Sequence, residues 1–197
     1  MLPHLLTFTL RVHTNIIVLL WNGLELFALI MGWIGCIVGY SSVLHEIAGL
    51  SFYWDRTTGP FGGHYSSGTK CSSTGAAFCA FMVLAFLLFT VCIICMLVRI
   101  LHTGYSMSAL RLELITFTVG YLFYFIAVPI WSGCLHESEA VYGATATLNG
   151  YGYVIAADIF LFFGVIALFQ IYRFDVNQMW NKSTGTSDAV SGPGVVV

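Results

Sequence analysis

The sequence predicts an all-α fold class, an integral membrane bundle of four helices, from its charge, its hydropathy and its long apolar runs. Only 8% of the 197 residues are charged, against about 25% in soluble proteins. Apolar residues make up 58% and the mean hydropathy is +0.88, more apolar surface than a soluble domain of this length can bury. The net charge is −2. These values exclude a soluble enzyme, a disordered chain and a nucleic-acid binder.

Each apolar run is long enough to cross about 30 Å of hydrocarbon as a helix of about 20 residues. The sequence lacks the alternating segments of a membrane barrel, and a backbone in lipid must satisfy its own hydrogen bonds, so the runs are predicted to be helices. The first run is too long for a signal peptide, and no Ala-x-Ala site follows it. The predicted spans cover residues 15–44, 76–98, 114–135 and 154–172.

Three loops and two terminal segments separate and flank these spans. Residues 45–75 and 136–153 form the predicted outer loops, and residues 99–113 form a short inner loop. Residues 1–14 are expected to be an inner segment and residues 174–197 a flexible tail.

Basic residues predict the orientation of the chain, because they are retained on the cytoplasmic side of a membrane. Five lie on the side of both termini and two, Arg56 and Lys70, on the other. The five are Arg11, Arg99, Arg111, Arg173 and Lys182. Both termini are therefore expected in the cytoplasm, or in the matrix if the protein is mitochondrial.

Small residues at helical spacing indicate where helices approach closely, because helices in lipid gain most from close backbone contact. Six positions on the first and fourth spans are predicted to be such contacts, within one chain or between chains. The alternative is that glycine is simply common in membrane helices. The six are Ala28, Gly32, Gly35, Gly39, Ala157 and Gly164.

Glu25 and Asp158 are the ionisable residues well inside the predicted spans. A charge in hydrocarbon is costly, so both are expected to face the bundle interior or a partner. Their predicted depths differ, which favours two separate structural polar contacts over a proton relay or transport path. The expected partners of these buried acids are Asn22, Thr116 or Thr118.

The remaining polar residues predict neither catalysis nor a cofactor. Cys92-x-x-Cys95 lies in an apolar helix, where buried thiols are inert. The outer histidines and glutamates, such as His45, lack close metal-ligand spacing. Cys71 and Cys134 lie at the outer side, and a disulfide between them is the alternative to free thiols if that side is oxidising.

The first outer loop carries several aromatic residues, with Tyr53 and Trp54 in its first half. Such residues are enriched where proteins meet partners, and they also anchor proteins at lipid interfaces. Partner contact is the favoured interpretation, with plain anchoring as the alternative.

The entry to the fourth span reads Gly150-Tyr151-Gly152-Tyr153 and is followed by Ala156, Ala157 and Asp158. This run resembles the Tyr-Gly-x-Gly-Phe run of the amastin surface proteins of kinetoplastids. Four spans, a long Gly- and Ser-rich first outer loop and a short inner turn are similar to both the amastins and the claudin and peripheral-myelin-protein group. Both groups place two cysteines in the first loop, where this chain has Cys71 alone. The resemblance implies a non-enzymatic surface or junction protein.

The sequence thus predicts a non-catalytic four-span membrane protein that acts through helix packing and outer-loop contacts. The first alternative is an accessory subunit of a larger membrane complex, such as a respiratory one, and the second is a small transporter or channel. Membrane lipids and other subunits, or a second copy of the chain, are the expected partners. Nucleic acid, a small-molecule substrate and a cofactor are not. The plasma membrane is the favoured location and the mitochondrial inner membrane the alternative.

Overall fold

The computed structural model describes residues 2–53, 57–58, 64–65, 70–101 and 106–185, with side chains described for residues 16–53, 74–101 and 107–177. Four long helices dominate these residues. They are α1 (Leu2–Ser41), α2 (Lys70–Leu101), α3 (Ser106–Tyr142) and α4 (Gly150–Gly185).

Every helix contains a segment long and apolar enough to cross a membrane, so the chain is an integral membrane protein with an all-α bundle, as predicted. These segments are Ile16–Ser41, Thr74–Leu101, Met107–Tyr142 and Gly150–Asn177. We call the end of the bundle with the α2–α3 connection the inner end, and the opposite end the outer end. The first helix, α1, begins at the inner end, and the last helix, α4, ends there.

The helices extend beyond the predicted spans at most of their ends. The α3 helix covers parts of both predicted loops, 99–113 and 136–153. Likewise α1 already begins at Leu2, and α4 continues to Gly185 through the first part of the expected flexible tail. The physical reason is that hydropathy marks only the length in hydrocarbon. A helix ends where its backbone turns, as α3 does before Gly143, whose φ of 63° is left-handed.

The bundle consists of two well-packed helix pairs, α1 with α4 and α2 with α3. Large aromatic side chains fill its centre, and Phe89 of α2 meets Phe117 of α3 edge to face with ring centroids 5.9 Å apart. The largest fully buried side chains include Trp131, Tyr124, Tyr151, Phe78, Phe89 and Phe117.

The small residues of α1 and α4 lie against each other within this chain. A Cβ atom added to Gly164 would lie 2.5 Å from the Cβ of Ala28 and 2.7 Å from Phe117. One added to Gly32 would lie 2.6 Å from Leu161. The helices therefore approach more closely than any side chain at these positions would allow.

The other two predicted contact glycines of α1, Gly35 and Gly39, meet more than one helix. A Cβ at Gly35 would meet the hydroxyl group of Tyr124 on α3 and lie 3.0 Å from the Cβ of Ala157 on α4. A Cβ at Gly39 would lie 2.8 Å from Met82 on α2. The sequence left open whether the small residues contact helices within one chain or between chains, and the contacts seen here are within one chain.

A small antiparallel sheet lies at the outer end and joins the two outer loops. Its strand order is β4-β3-β2-β1-β5, so four strands come from the first outer loop and one from the second. The sheet was not expected from the sequence, because strands of two or three residues are too short to show an alternating pattern. The strands are β1 (His45–Ile47), β2 (Leu50–Phe52), β3 (Thr57–Thr58), β4 (His64–Tyr65) and β5 (Thr147–Leu148).

Two local features hold this sheet in register. The β1–β2 hairpin turns through Ala48 and Gly49, with φ of 50° and 78°, the left-handed pair that a two-residue hairpin turn needs. The start of α4 is fixed by hydrogen bonds that the N–H groups of Gly150 and Tyr151 donate to the carbonyls of Val43 and Leu44, at 2.9 and 3.0 Å. A Cβ at Gly150 would lie 2.8 Å from the Val43 carbonyl oxygen, so only glycine permits this approach.

Candidate functional site

The most unusual feature of the bundle is a buried charge cluster toward its inner end. Arg99 of α2 lies between Glu25 of α1 and Glu113 of α3, and only 10% of its side chain is exposed, while neither glutamate side chain is exposed. We call Arg99, Glu25, Glu113 and Asn22 the Arg99 cluster. It connects three helices inside the membrane-spanning part of the chain.

Arg99 uses all three nitrogens of its guanidinium group within this cluster. Its Nε and Nη2 atoms donate to the two carboxylate oxygens of Glu113, at 2.7 and 3.2 Å. Nη2 also donates to Glu25 Oε2 at 3.1 Å, and Nη1 donates to Asn22 Oδ1 at 2.8 Å. Bidentate charge-assisted bonds of this kind are the strongest that proteins form. The arrangement therefore fixes α1 against the α2–α3 pair.

The expected partners of Glu25 were wrong in part. Asn22 belongs to the cluster but bonds to Arg99, and the Thr116 hydroxyl group donates to the backbone carbonyls of Leu112 and Glu113. The true partner, Arg99, was missed because residues 99–113 were expected to be a loop. The available signal was Glu25 itself, since a buried acid requires a cation and Arg99 is one residue beyond the predicted second span.

A thiol lies beside the two acids. Cys92 Sγ donates to the Glu113 backbone carbonyl at 3.7 Å, and single ligand atoms of Glu25, Cys92 and Glu113 lie within 4.8 Å of one another. Among the described residues this is the one group of three that could hold a metal ion. A zinc ion needs its ligands at about 2.0–2.3 Å. The Glu113 carboxylate is already bonded to Arg99, so the group is better arranged for an ion pair than for a metal.

Asp158, the second predicted buried acid, lies on α4 and takes no part in this cluster. Its Oδ1 atom is buried and has no hydrogen-bond partner among the described residues. The two acids are therefore separate, as their predicted depths indicated.

A second buried polar residue, His45, connects the outer sheet to the bundle. Its ring stacks on Phe52 of β2 at 4.4 Å and meets Trp131 of α3 at 5.7 Å. Its Nε2 atom lies 3.1 Å from the Ser138 hydroxyl oxygen, and that hydroxyl group donates to the Leu135 carbonyl. Nε2 therefore carries the ring proton and donates it to Ser138.

Burial makes His45 neutral. The loss of solvation lowers the pKa of His45 to about 4, and the negative charge of Glu139 opposes this shift only in part. Its Nδ1 atom has no partner among the described residues. His45 is thus a packing residue at the junction of sheet and bundle.

The other outer polar residues have structural partners. Glu139 accepts a hydrogen bond from the Ala146 N–H at 3.0 Å and lies 3.8 Å from His136, and Glu46 accepts one from the Ser51 hydroxyl group. Tyr53 is half-buried, and Trp54 lies outside the described residues.

The cysteines divide into two classes. Cys134 is disulfide-bonded. The side chain of Cys71, the partner in the disulfide that the sequence left open, lies outside the described residues. Cys36, Cys92 and Cys95 are buried thiols outside any disulfide.

No protein-family model matches this chain, and no curated protein matches it either. The resemblance to the claudin and amastin groups therefore stays a prediction.

Proposed function

We propose that this chain is a non-catalytic four-span membrane protein that acts through contacts made by its outer end, in the manner of claudin- or amastin-like surface proteins. The observation that carries the proposal is the outer sheet. It joins both outer loops through the pairs His45–Leu148 and Glu46–Thr147, and His45 packs it onto Trp131. Such a sheet presents loop residues in a fixed arrangement, which favours recognition of a partner.

One part of this end offers a contact surface. Leu148 on the edge strand β5 is 47% exposed, and Val141 and Tyr142 at the end of α3 are 70% and 44% exposed. We call these three residues the outer patch. An edge strand has unpaired backbone groups that a partner strand can use, and exposed apolar residues beside it add contact area.

The accessory-subunit alternative would place the partner beside the helices. Gly32, Gly35 and Gly39 of α1 and Gly164 of α4 face the chain's own helices, which leaves fewer small-residue surfaces for a lateral neighbour. The outer end is therefore the favoured contact region. The plasma membrane is the proposed location, with the mitochondrial inner membrane as the alternative.

Absence of catalysis is part of the proposal. Within the Arg99 cluster, Arg99 is paired with Glu25 and Glu113, so these charged groups serve contacts inside the bundle. The buried Cys92 and Cys95 lie in an apolar helix, where a thiolate is disfavoured.

The test is chemical crosslinking and native gel analysis in the source membrane. Val141→Glu combined with Leu148→Lys should remove the crosslinked partner and leave the thermal unfolding of the chain unchanged. Thr145→Lys, an exposed position in the same loop, is the matched control and should keep the partner. An outer-patch variant that still assembles would contradict the proposal. Dissociation of a large complex by glycine variants of α1 alone would support the accessory subunit, and turnover of a substrate by the purified chain would refute the non-catalytic role.

A further inference from the structure

Glu25 is the member of the Arg99 cluster whose carboxyl group is incompletely paired. Both oxygens of Glu113 accept hydrogen bonds from Arg99, whereas Glu25 accepts a single bond at Oε2. Its Oε1 atom is buried and has no hydrogen-bond partner among the described residues. An ionised carboxylate in this position would leave one oxygen without compensation in hydrocarbon.

The charges around Glu25 are also unbalanced. Two carboxyl groups face one guanidinium group, so the cluster carries a charge of −1 if both glutamates are ionised. The groups facing Glu25 are Arg99 and Cys92 from α2 and Glu113 from α3, and Cys95 of α2 faces Glu113. From α4, Asp175 acts on Arg99 and is also acidic. None of these neighbours supplies the second positive charge.

We propose that Glu25 is a proton-binding site that holds one exchangeable proton on Oε1 in the assembled bundle. The proton makes the cluster neutral, with Glu113 as the carboxylate that pairs with Arg99. On release, the O–H bond of Glu25 breaks, the proton passes to solvent at the inner end, and the carboxylate keeps the electron pair. The cluster then carries one unbalanced negative charge between α1 and the α2–α3 pair.

A proton is favoured over a metal ion as the ligand of this site. The Cys92 thiol acts as a donor to the Glu113 carbonyl and is therefore protonated. Arg99 occupies both oxygens of Glu113, so a metal would first have to displace the guanidinium group.

A cavity near the inner end lies beside a residue that is hydrogen-bonded to the cluster. It measures about 330 Å³ and lies between α1 and α4, with Val18, Gln170, Arg173 and Asn177 among its lining residues. The Val18 carbonyl accepts a hydrogen bond from Asn22 Nδ2 at 2.7 Å, and Asn22 binds Arg99 through its other amide atom. Asn22 thus links Val18, a residue that lines the cavity, to Arg99.

The first test is infrared spectroscopy of the purified full chain in lipid, in H₂O and in D₂O. A protonated carboxyl group has a distinct carbonyl stretch that shifts on exchange of its proton. At neutral pH this band should be present in Asp158→Asn, which removes the other poorly paired buried acid, and should be lost when Glu25→Gln is added to that variant. Its absence from Asp158→Asn protein would show that Glu25 is ionised and would overturn the proposal, even if Glu25→Gln does not fold.

Thermal unfolding supplies an independent measurement. Glutamine resembles a protonated glutamate, so Glu25→Gln should leave Tm nearly unchanged. Glu113→Gln removes the carboxylate that pairs with Arg99 and should lower Tm by several degrees. Equal losses in the two variants would contradict the proposal. Stoichiometric binding of Zn²⁺ to wild type that Cys92→Ser abolishes would also overturn it in favour of a metal site.

Discussion

At the scale of one residue, Arg99 of α2 is a buried cation that bonds to polar side chains of two other helices, α1 and α3. Removing it would leave Glu113 buried without a counter-charge. Breaking a buried ion pair at one partner costs about 3–5 kcal/mol. We expect Arg99→Gln to lower the unfolding free energy by about that amount, measured by thermal or denaturant unfolding in detergent.

Two controls sharpen this prediction. Arg99→Lys keeps the charge but loses the bidentate geometry, so its loss should be intermediate. Arg111→Gln removes an exposed arginine of α3 and should change stability by less than about 0.5 kcal/mol. Similar effects of the Arg99 and Arg111 variants would mean that the cluster contributes little to stability.

His45 predicts a pH dependence of the outer sheet. Its folded-state pKa is lowered to about 4 from 6.5, so the unfolded sheet binds more protons between these two values. Stability is therefore complete above about pH 6.5 and is lost as pH falls toward 4. At about 1.4 kcal/mol per pKa unit, the loss approaches 3 kcal/mol.

Hydrogen exchange of the β1 and β2 amides across this pH range is the measurement. His45→Phe keeps a ring to stack on Phe52 and should abolish the pH dependence. His136→Phe changes an exposed histidine at the outer end and should leave the dependence intact. Sheet protection that stays constant from pH 7 to 4 in wild type would contradict the assignment.

At the scale of the element, the close approach of α1 and α4 makes one glycine more important than another. Gly164→Ala would force a methyl group against Ala28 and Phe117, and overpacking of this kind costs about 1–3 kcal/mol. Gly23→Ala on α1 meets no atom within 4 Å and should be neutral or stabilise the helix by up to about 1 kcal/mol. Unfolding in detergent should therefore show a loss of stability in Gly164→Ala and none in Gly23→Ala.

The β1–β2 hairpin gives a second prediction at this scale. Ala48 has a φ of 50°, a conformation that alanine adopts with strain and asparagine tolerates better. Ala48→Asn creates the Asn-Gly pair preferred in two-residue turns and should increase amide protection in β1 and β2 by about 0.5–1 kcal/mol. Gly49→Ala is the opposite control and should reduce it. If Ala48→Asn lowers protection, the turn is of another type.

At the scale of the whole molecule, the basic residues still predict the orientation. Arg99 is buried in the cluster and no longer counts as a loop charge, which changes the ratio from five against two to four against two. The inner end is still expected to face the cytoplasm or matrix. A membrane-impermeant thiol reagent should label Thr145→Cys in intact cells or organelles. It should label Asn177→Cys, at the inner end of α4, only after permeabilisation, and the reverse pattern would invert the topology.

The number and approximate position of the helices followed from the sequence alone, because hydrocarbon of fixed thickness requires uninterrupted apolar runs whatever they pack against. Small residues such as Gly32 and Gly164 also indicated close helix contacts, because their spacing is a local property of one helix. Glu25 has no opposite charge within its own span, and it likewise indicated a buried polar partner, because a charge in lipid is costly.

Only the tertiary structure decided which groups meet. Arg99 and Glu25 are 74 positions apart, and no local pattern links them, because their contact depends on how far α2 and α3 extend as helices. The outer sheet has the same origin: β1 and β5 are held together by the positions of α1, α3 and α4 rather than by strand propensity. His45 is buried for the same reason. From the sequence it is a polar residue just beyond the end of a span, and only the folded structure places it between Phe52 and Trp131.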